Sequence, residues 1–320
     1  MKQYLLFLRD DILRNWGKLP FGIVAVFIWI WCSSLFTFNH AVVFYLRRKH
    51  KYIINFLMKR YGHLVPKFFD ENPYKKDCDL KDLPIWVFWY QGEDNMPVIT
   101  KLCYRNICKY SNGRKVFLLT KDNLGDYLEI PAWLFEKVEK GMMGFANFSD
   151  IIRLQLLYIY GGTWIDATVF VNAPIDNSRD NKIFDSVKIY PLTKEHISGY
   201  RWATFYLFSY PQSEAIKFFL DVMMAYWKDG FNKIIDYFLI DYTFVMLYEN
   251  NAEFKKIIDG RPYTNLHIHD LSLLLNKPYN GLFEKWSDTH VFKLNKKFKP
   301  LDSTPPHHVI TVYEKMLYDM

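Results

Sequence analysis

Residues 147–171 read NFSDIIRLQLLYIYGGTWIDATVFV, and the reading of this stretch decides the fold. Ser149 is a natural helix N-cap, because its hydroxyl can take up a free amide of the first turn. Ile151 to Tyr160 supplies a heavily apolar helix. Asp150 and Arg153 are three apart and share a face of its first turn. Gly161-Gly162 ends the helix, since glycine enters positive φ at little cost. Thr163 to Val171 then alternates as a strand, with Trp164, Asp166, Thr168 and Phe170 on one face and Ile165, Ala167, Val169 and Val171 on the other. Asp166 is thus a carboxylate inside an apolar strand. A charge there is costly unless it meets a cation, a metal or strong donors. An internal base such as Arg153 would satisfy it, and so would a bound cation; both readings stand.

Upstream, Ile85–Tyr90 (IWVFWY) is a continuous apolar run ending at Gln91-Gly92, the pattern of a buried strand of a parallel sheet followed by a turn. Pro97 opens a helical stretch, VITKLCYRNICKYS, and Lys115–Thr120 (KVFLLT) is a second strand. Strand, helix, strand is the grammar of an α/β fold. Pro131 begins another helix through Trp133, Phe135 and Val138. Downstream, residues 203–208 are a further strand, leading through Pro211-Gln212-Ser213 into a helix from Glu214 to Trp227. Tyr237–Tyr248 is aromatic-rich and contains Asp241, which suits an acceptor contact or a core and capping role equally. Pro305-Pro306-His307-His308 suggests a stop before a short final helix, and two adjacent His are not a metal site by themselves.

The amino-terminal sixty residues are of another kind. Leu19 to Leu46 carries no charged residue, and about 20 mainly apolar residues suffice to cross a hydrocarbon core. Ser33, Ser34, Asn39 and His40 interrupt the run, so helices lying on the membrane or on the folded domain are the alternative to a span. Arg47, Arg48, Lys49, Lys51, Lys59 and Arg60 follow it with no acid before Asp70, a bias that puts the following region in the cytoplasm. Residues 65–83 are polar and carry Pro66 and Pro73, as in a linker. The expected division is therefore 1–64 as a membrane-associating helical region, 65–83 as linker, 84–300 as the folded domain and 301–320 as a tail.

Composition narrows the function classes. In 320 residues, aromatics reach 19%, suited to stacking platforms and interfaces as well as to a core. The net charge of +7 fits an anionic small substrate or lipid surface. The basic residues are dispersed and no aromatic–basic recognition motif appears, so nucleic acid is not an expected partner. Four Cys in such a chain make no disulfide framework, and reduced thiols are expected.

The whole word Ser149-Asp150-x-x-Arg153 through Gly161-Gly162-Thr163-Trp164-Ile165-Asp166-Ala167-Thr168, with weaker matches at 85–92, 236–242 and 287–297, resembles the capsular polysaccharide synthesis protein group, itself similar to glycosyltransferase family 32. The resemblance covers roughly residues 84–300. It implies a GT-A fold, a Rossmann-like mixed sheet flanked by helices, that holds a nucleoside-diphosphate sugar, with a divalent cation (Mg²⁺ or Mn²⁺) bridging the diphosphate. By the same resemblance Asp150 and Arg153 contact the donor, Trp89 and Gln91 lie near its base and ribose, and Asp166 is the first acid of a D-x-D motif. The second acid is replaced by Thr168, a weaker ligand. His290 is the candidate to complete the metal set, against an ordinary histidine. Lys293, Lys296 and Lys297 are candidate stabilisers of the leaving diphosphate, or simply a solvated basic loop. The implied reaction is retaining transfer; the expected acceptor is a growing surface polysaccharide or, since the apolar amino-terminal segment would bring both reactants to the bilayer surface, a lipid-linked glycan. The degraded D-x-D leaves a second reading open, an inactive relative that binds sugar nucleotide or serves as a scaffold.

Overall fold

The computed structural model describes residues 38–67, 79–175, 184–188, 196–231, 233–301 and 309–319. Helix α1 (Phe38–Tyr61) comes first. The apolar run at 85–90 then yields strand β1 (Ile85–Phe88), buried at all four positions. Trp86 and Phe88 enter one core cluster, Ile85 and Val87 another, the alternation of a strand covered on both faces. α2 (Val98–Lys109) starts directly after Pro97 and returns the chain to β2 (Val116–Leu119), parallel to β1 with Ile85 opposite Val116. α3 (Ala132–Glu139) and α4 (Phe145–Tyr160) lead to β3 (Gly162–Ile165), parallel to β1 on its other side.

Beyond β3 come β4 (Val169–Val171), β5 (Phe184–Ser186) and β6 (Tyr206–Ser209). Helices α5 (Glu214–Lys228), α6 (Leu239–Asn250) and α7 (Ala252–Asp259) follow, then β7 (Val291–Lys293) and α8 (Val312–Tyr318). The main sheet runs β2-β1-β3-β6-β5, its last two pairings antiparallel, while β4 and β7 form a separate antiparallel pair. The result is the expected mixed sheet flanked by helices.

The corner between α4 and β3 is held by its two glycines. Gly161 takes φ 66°, ψ −159°, a region essentially closed to other residues, and Gly162 takes φ 98°. Here glycine supplies an extended mirror-image turn instead of the left-handed helical cap. The space is also closed. A Cβ on Gly162 would lie 2.2 Å from the carbonyl oxygen of Pro84, and one on Gly161 would lie 2.6 Å from the nitrogen of Pro211. Around the corner, Trp86 Nε1 donates to the Gly161 carbonyl at 2.9 Å. The buried Arg114 donates to the carbonyls of Leu83 and Pro84 and to the Thr163 hydroxyl.

Several expectations change. α4 begins at Phe145 with Gly144 as its cap, so Ser149 lies inside the helix. The strand expected over Thr163–Val171 is two strands in two sheets, broken at 166–168, where Val169 N–H closes a turn onto the Asp166 carbonyl. α1 does not stand apart from the folded region. Ile53, Leu57 and Tyr61 enter the largest core cluster, Lys49 Nζ forms a buried ion pair with Asp236 Oδ2 at 2.9 Å, and His50 Nδ1 meets the Tyr242 hydroxyl at 2.6 Å. The described end of the expected tail likewise packs: Val312, Tyr313 and Met316 of α8 are buried. Among the described residues no helix is long and apolar enough to cross a membrane; the apolar stretch up to residue 37, and most of the expected linker, lie outside those residues. Cys103 and Cys108 are free thiols, and Cys32 and Cys78 lie outside the described residues.

Gly162→Ala is expected to destabilise the chain by on the order of 3 kcal/mol, from backbone strain plus the encounter with Pro84. Gly125→Ala, whose Cβ would meet nothing within 4 Å, is expected to change stability by no more than about 0.5 kcal/mol. Urea unfolding of both variants checks the contrast, and equal midpoints would refute it.

Candidate active site

The carboxyl ends of β1 and β3 open into a cleft of about 1020 Å³, the position where parallel α/β sheets commonly take ligands. Its floor is the expected constellation. Asp150 and Arg153 project from α4, and Asp166 leaves the end of β3. Arg153 Nη1 lies 3.3 Å from Asp150 Oδ1, and Arg153 Nη2 lies 3.1 Å from Asp166 Oδ1. Trp164 Nε1 donates to the same Asp166 oxygen at 2.8 Å, because residues two apart at the end of a strand share a face. The other Asp166 oxygen accepts from Lys293 Nζ at 2.6 Å. The half-buried Asp166 is paired internally, as the first reading expected, and it also lines the cleft, its side chain 26% exposed.

These neighbours separate the carboxylates electrostatically. Burial pushes Asp150 up to about 7; Arg153 opposes that, and the negative charge of Asp166 adds to it. Asp166 is also raised by burial, but Lys293 and Arg153 outweigh burial and hold it below the ordinary value. Asp241, on α6, is raised to about 7 by burial against the hydrogen bond it accepts from Trp202 Nε1 at 2.9 Å. Near neutral pH the cleft therefore offers one firmly ionised carboxylate and two poised between their forms. Arg153 keeps unused capacity: Nη1 is held to Asp150 by the ion pair alone, and Nε is buried with no hydrogen-bond partner among the described residues. So is the indole N–H of Trp89.

Trp89 and Gln91, after β1, line the cleft, as do Thr168, Lys293 and Lys296. Lys296 Nζ stands 6.0 Å from the centre of the Trp89 ring. His290 is not brought there. The antiparallel register sets Val171 against Val291 and Val169 against Lys293. That register carries His290 to the far end of the pair, where it is exposed and its Nδ1 meets Asn172 Oδ1 at 3.0 Å. Lys293, three residues on, is delivered to Asp166 instead. Lys297 is exposed and outside the cleft lining. Asp241 belongs to the cleft wall, along with Tyr237, Trp202 and His196. The last three carry no spacing signal; only long-range contacts, such as the hydrogen bond from Trp202 to Asp241, gather them.

The donor set does not fit the divalent cation that the resemblance implies. Of its three candidate ligands, His290 lies elsewhere, Thr168 offers a hydroxyl, and both oxygens of Asp166 are engaged by N–H donors, two of them cationic. Among the described residues no three His, Cys, Asp or Glu side chains gather as a metal site.

Comparison with known proteins adds a family. The model of a family described as capsular polysaccharide synthesis protein matches residues 34–316. Two curated relatives are an O-glycosyltransferase, braB, of Annulohypoxylon truncatum, 29% identical over 123 residues, and the O-glycosyltransferase PaGT of Phomopsis amygdali, 29% identical over 94. The matches cover 35% and 26% of this chain, and 28% and 22% of the respective relatives. The chain therefore spans about a quarter of the length of the curated relatives it matches.

A raised carboxyl pKa has a signed consequence for stability. Between about pH 4 and pH 7 folded Asp150 holds a proton that the unfolded chain has released, so its contribution to stability falls as pH rises through that window. Asp150→Asn removes the cost. The variant is expected to melt several degrees above the wild type at pH 8, with the gain shrinking toward pH 5. Scanning calorimetry at the two pH values checks this, and a pH-independent difference would contradict the assignment.

Proposed function

Since the chain belongs to the capsular polysaccharide synthesis protein family, we propose that it is a glycosyltransferase that moves a sugar from a nucleoside diphosphate to a glycan acceptor. The observation that carries this reading is the Asp150–Arg153–Asp166 cluster on the floor of a cleft at the carboxyl ends of β1 and β3. The O-glycosyltransferase relatives point the same way.

The chemistry asks for these groups. The bond from the anomeric carbon to the diphosphate oxygen breaks with its electron pair going to that oxygen. A new bond forms from the acceptor hydroxyl oxygen to the same carbon, and the hydroxyl proton passes to the departing diphosphate. Negative charge grows on the leaving group while the sugar becomes cationic in character. Arg153, Lys293 and Lys296 supply positive charge for the first. Asp166, ionised at neutral pH, faces the second and can accept hydrogen bonds from sugar hydroxyls. Trp89 offers a ring face to a base. In this reading retention of configuration follows from the sequence resemblance to glycosyltransferase family 32, the lipid-linked or surface-glycan acceptor from the apolar amino-terminal segment, and the cytoplasmic membrane face from the basic residues that follow that segment. The charge-free stretch at 19–46 supports the membrane, as does the exposed basic side of α1 at Arg47, Arg48, Lys51 and Lys59.

The internal pairing of Asp166 favours one alternative, a chain that binds sugar nucleotide without turning it over. Turnover separates the two. With a panel of nucleoside-diphosphate sugars, the wild type is expected to hydrolyse or transfer at least one, and Asp166→Ala to lose at least ~100-fold in rate. Asp166→Asn and the melting temperature of each variant guard against misfolding. Equal turnover by wild type and both variants would end the catalytic assignment, and donor binding without turnover by the wild type would establish the alternative.

A further inference from the structure

The misfit between the site and a divalent cation leads further. We propose that Lys293, held against Asp166, stands where such a cation would act, and that the cleft binds the diphosphate of a nucleoside diphosphate without metal. The inference rests on the sugar-nucleotide reading above and deepens it.

Lys293 is built in from both sides. It ends β7, its backbone N–H donates to the Ile268 carbonyl at 2.7 Å, and the next N–H, of Leu294, donates to the Thr168 carbonyl at 2.9 Å. It is therefore not part of a solvated loop. Its ammonium lies 2.6 Å from Asp166 Oδ2 and 4.9 Å from the centre of the Phe205 ring, with the side chain 24% exposed. Arg153, 5% exposed, backs the same carboxylate from the other side. A divalent ion on Asp166 would have to displace one of these cations and then sit within a few ångströms of both. In so sheltered a site the repulsion is large.

What a metal provides to a diphosphate is fixed positive charge. The cleft already provides it. Arg153, Lys293 and Lys296 all line it, while two of its three carboxylates are poised near pH 7 and His196 is held neutral by burial. The balance at neutral pH is positive. The Nε of Arg153 is a buried donor with no hydrogen-bond acceptor among the described residues, and diphosphate oxygens are acceptors of the right charge.

The test uses the full chain, freed of metal by a chelator, and a panel of UDP, GDP, ADP, CDP and dTDP read by calorimetry and by thermal shift, with Mg²⁺ or Mn²⁺ then added. At least one nucleoside diphosphate is expected to bind in chelator, with its affinity moved less than about threefold by either metal. Lys293→Ala is expected to weaken that binding at least ~10-fold, and Lys293→Arg to restore most of it. Binding that is lost in chelator and regained with Mn²⁺ would overturn the inference and leave the sugar-nucleotide reading standing. So would Lys293→Ala binding as tightly as the wild type while melting at a similar temperature. Absence of binding by every nucleoside diphosphate, with metal and without, would overturn both. The wild-type arm needs no variant, so a poorly folding Lys293→Ala would not protect the idea.

Discussion

The carboxylate of Asp166 is the group on which three parts of the structure converge. It leaves the main sheet at the end of β3, receives Arg153 from α4, and receives Lys293 from the smaller β4–β7 pair. A partly buried acid is tolerated only when cations and donors compensate its desolvation, and here the compensation comes from two elements, α4 and β7, that lie far apart in sequence. The same contacts that make the acid tolerable also fix the mouth of the cleft. Removing one partner would leave an uncompensated charge and loosen the junction of two sheets, so stability and site geometry are hard to change independently.

The glycine corner is the complement of that ion cluster. Gly162 backs onto the Pro84 carbonyl at a distance no side chain allows, which brings the start of β3 against the start of β1. From there four residues of strand carry the chain to Asp166. Steric closeness at one end of the strand thus sets where charge appears at the other. Arg114 ties the same end with hydrogen bonds to two carbonyls and a hydroxyl, so the register is held by more than the sheet pairing.

What was legible in the sequence was local. The apolar run at 85–90, the proline before α2, the glycine pair and the three-residue spacing of Asp150 and Arg153 each carry their consequence within one or two turns of chain. The start of α4 was not legible, because Gly144 caps without a side chain and Ser149 offered a better one. Nor was the break at 166–168, since Ala167 and Thr168 carry no turn chemistry and the interruption is decided by pairing with β7, over a hundred residues away. The same register decides that Lys293 and not His290 reaches Asp166. The basic segment could be read as chemically apt, but which of its members arrives depends on an antiparallel alignment that no spacing rule supplies. Asp241 joins the site only because α6 packs its aromatic neighbours into the core.

α1 gives this arrangement an outward reach. Its buried Lys49–Asp236 bridge and the His50–Tyr242 contact fasten it to α6 and to the segment just before it, which form one wall of the cleft. The helix thereby braces that wall against the rest of the fold. Trimming the chain at residue 61 in the hope of a tidier fragment would strand the Asp236 carboxylate in the interior and unbrace that wall.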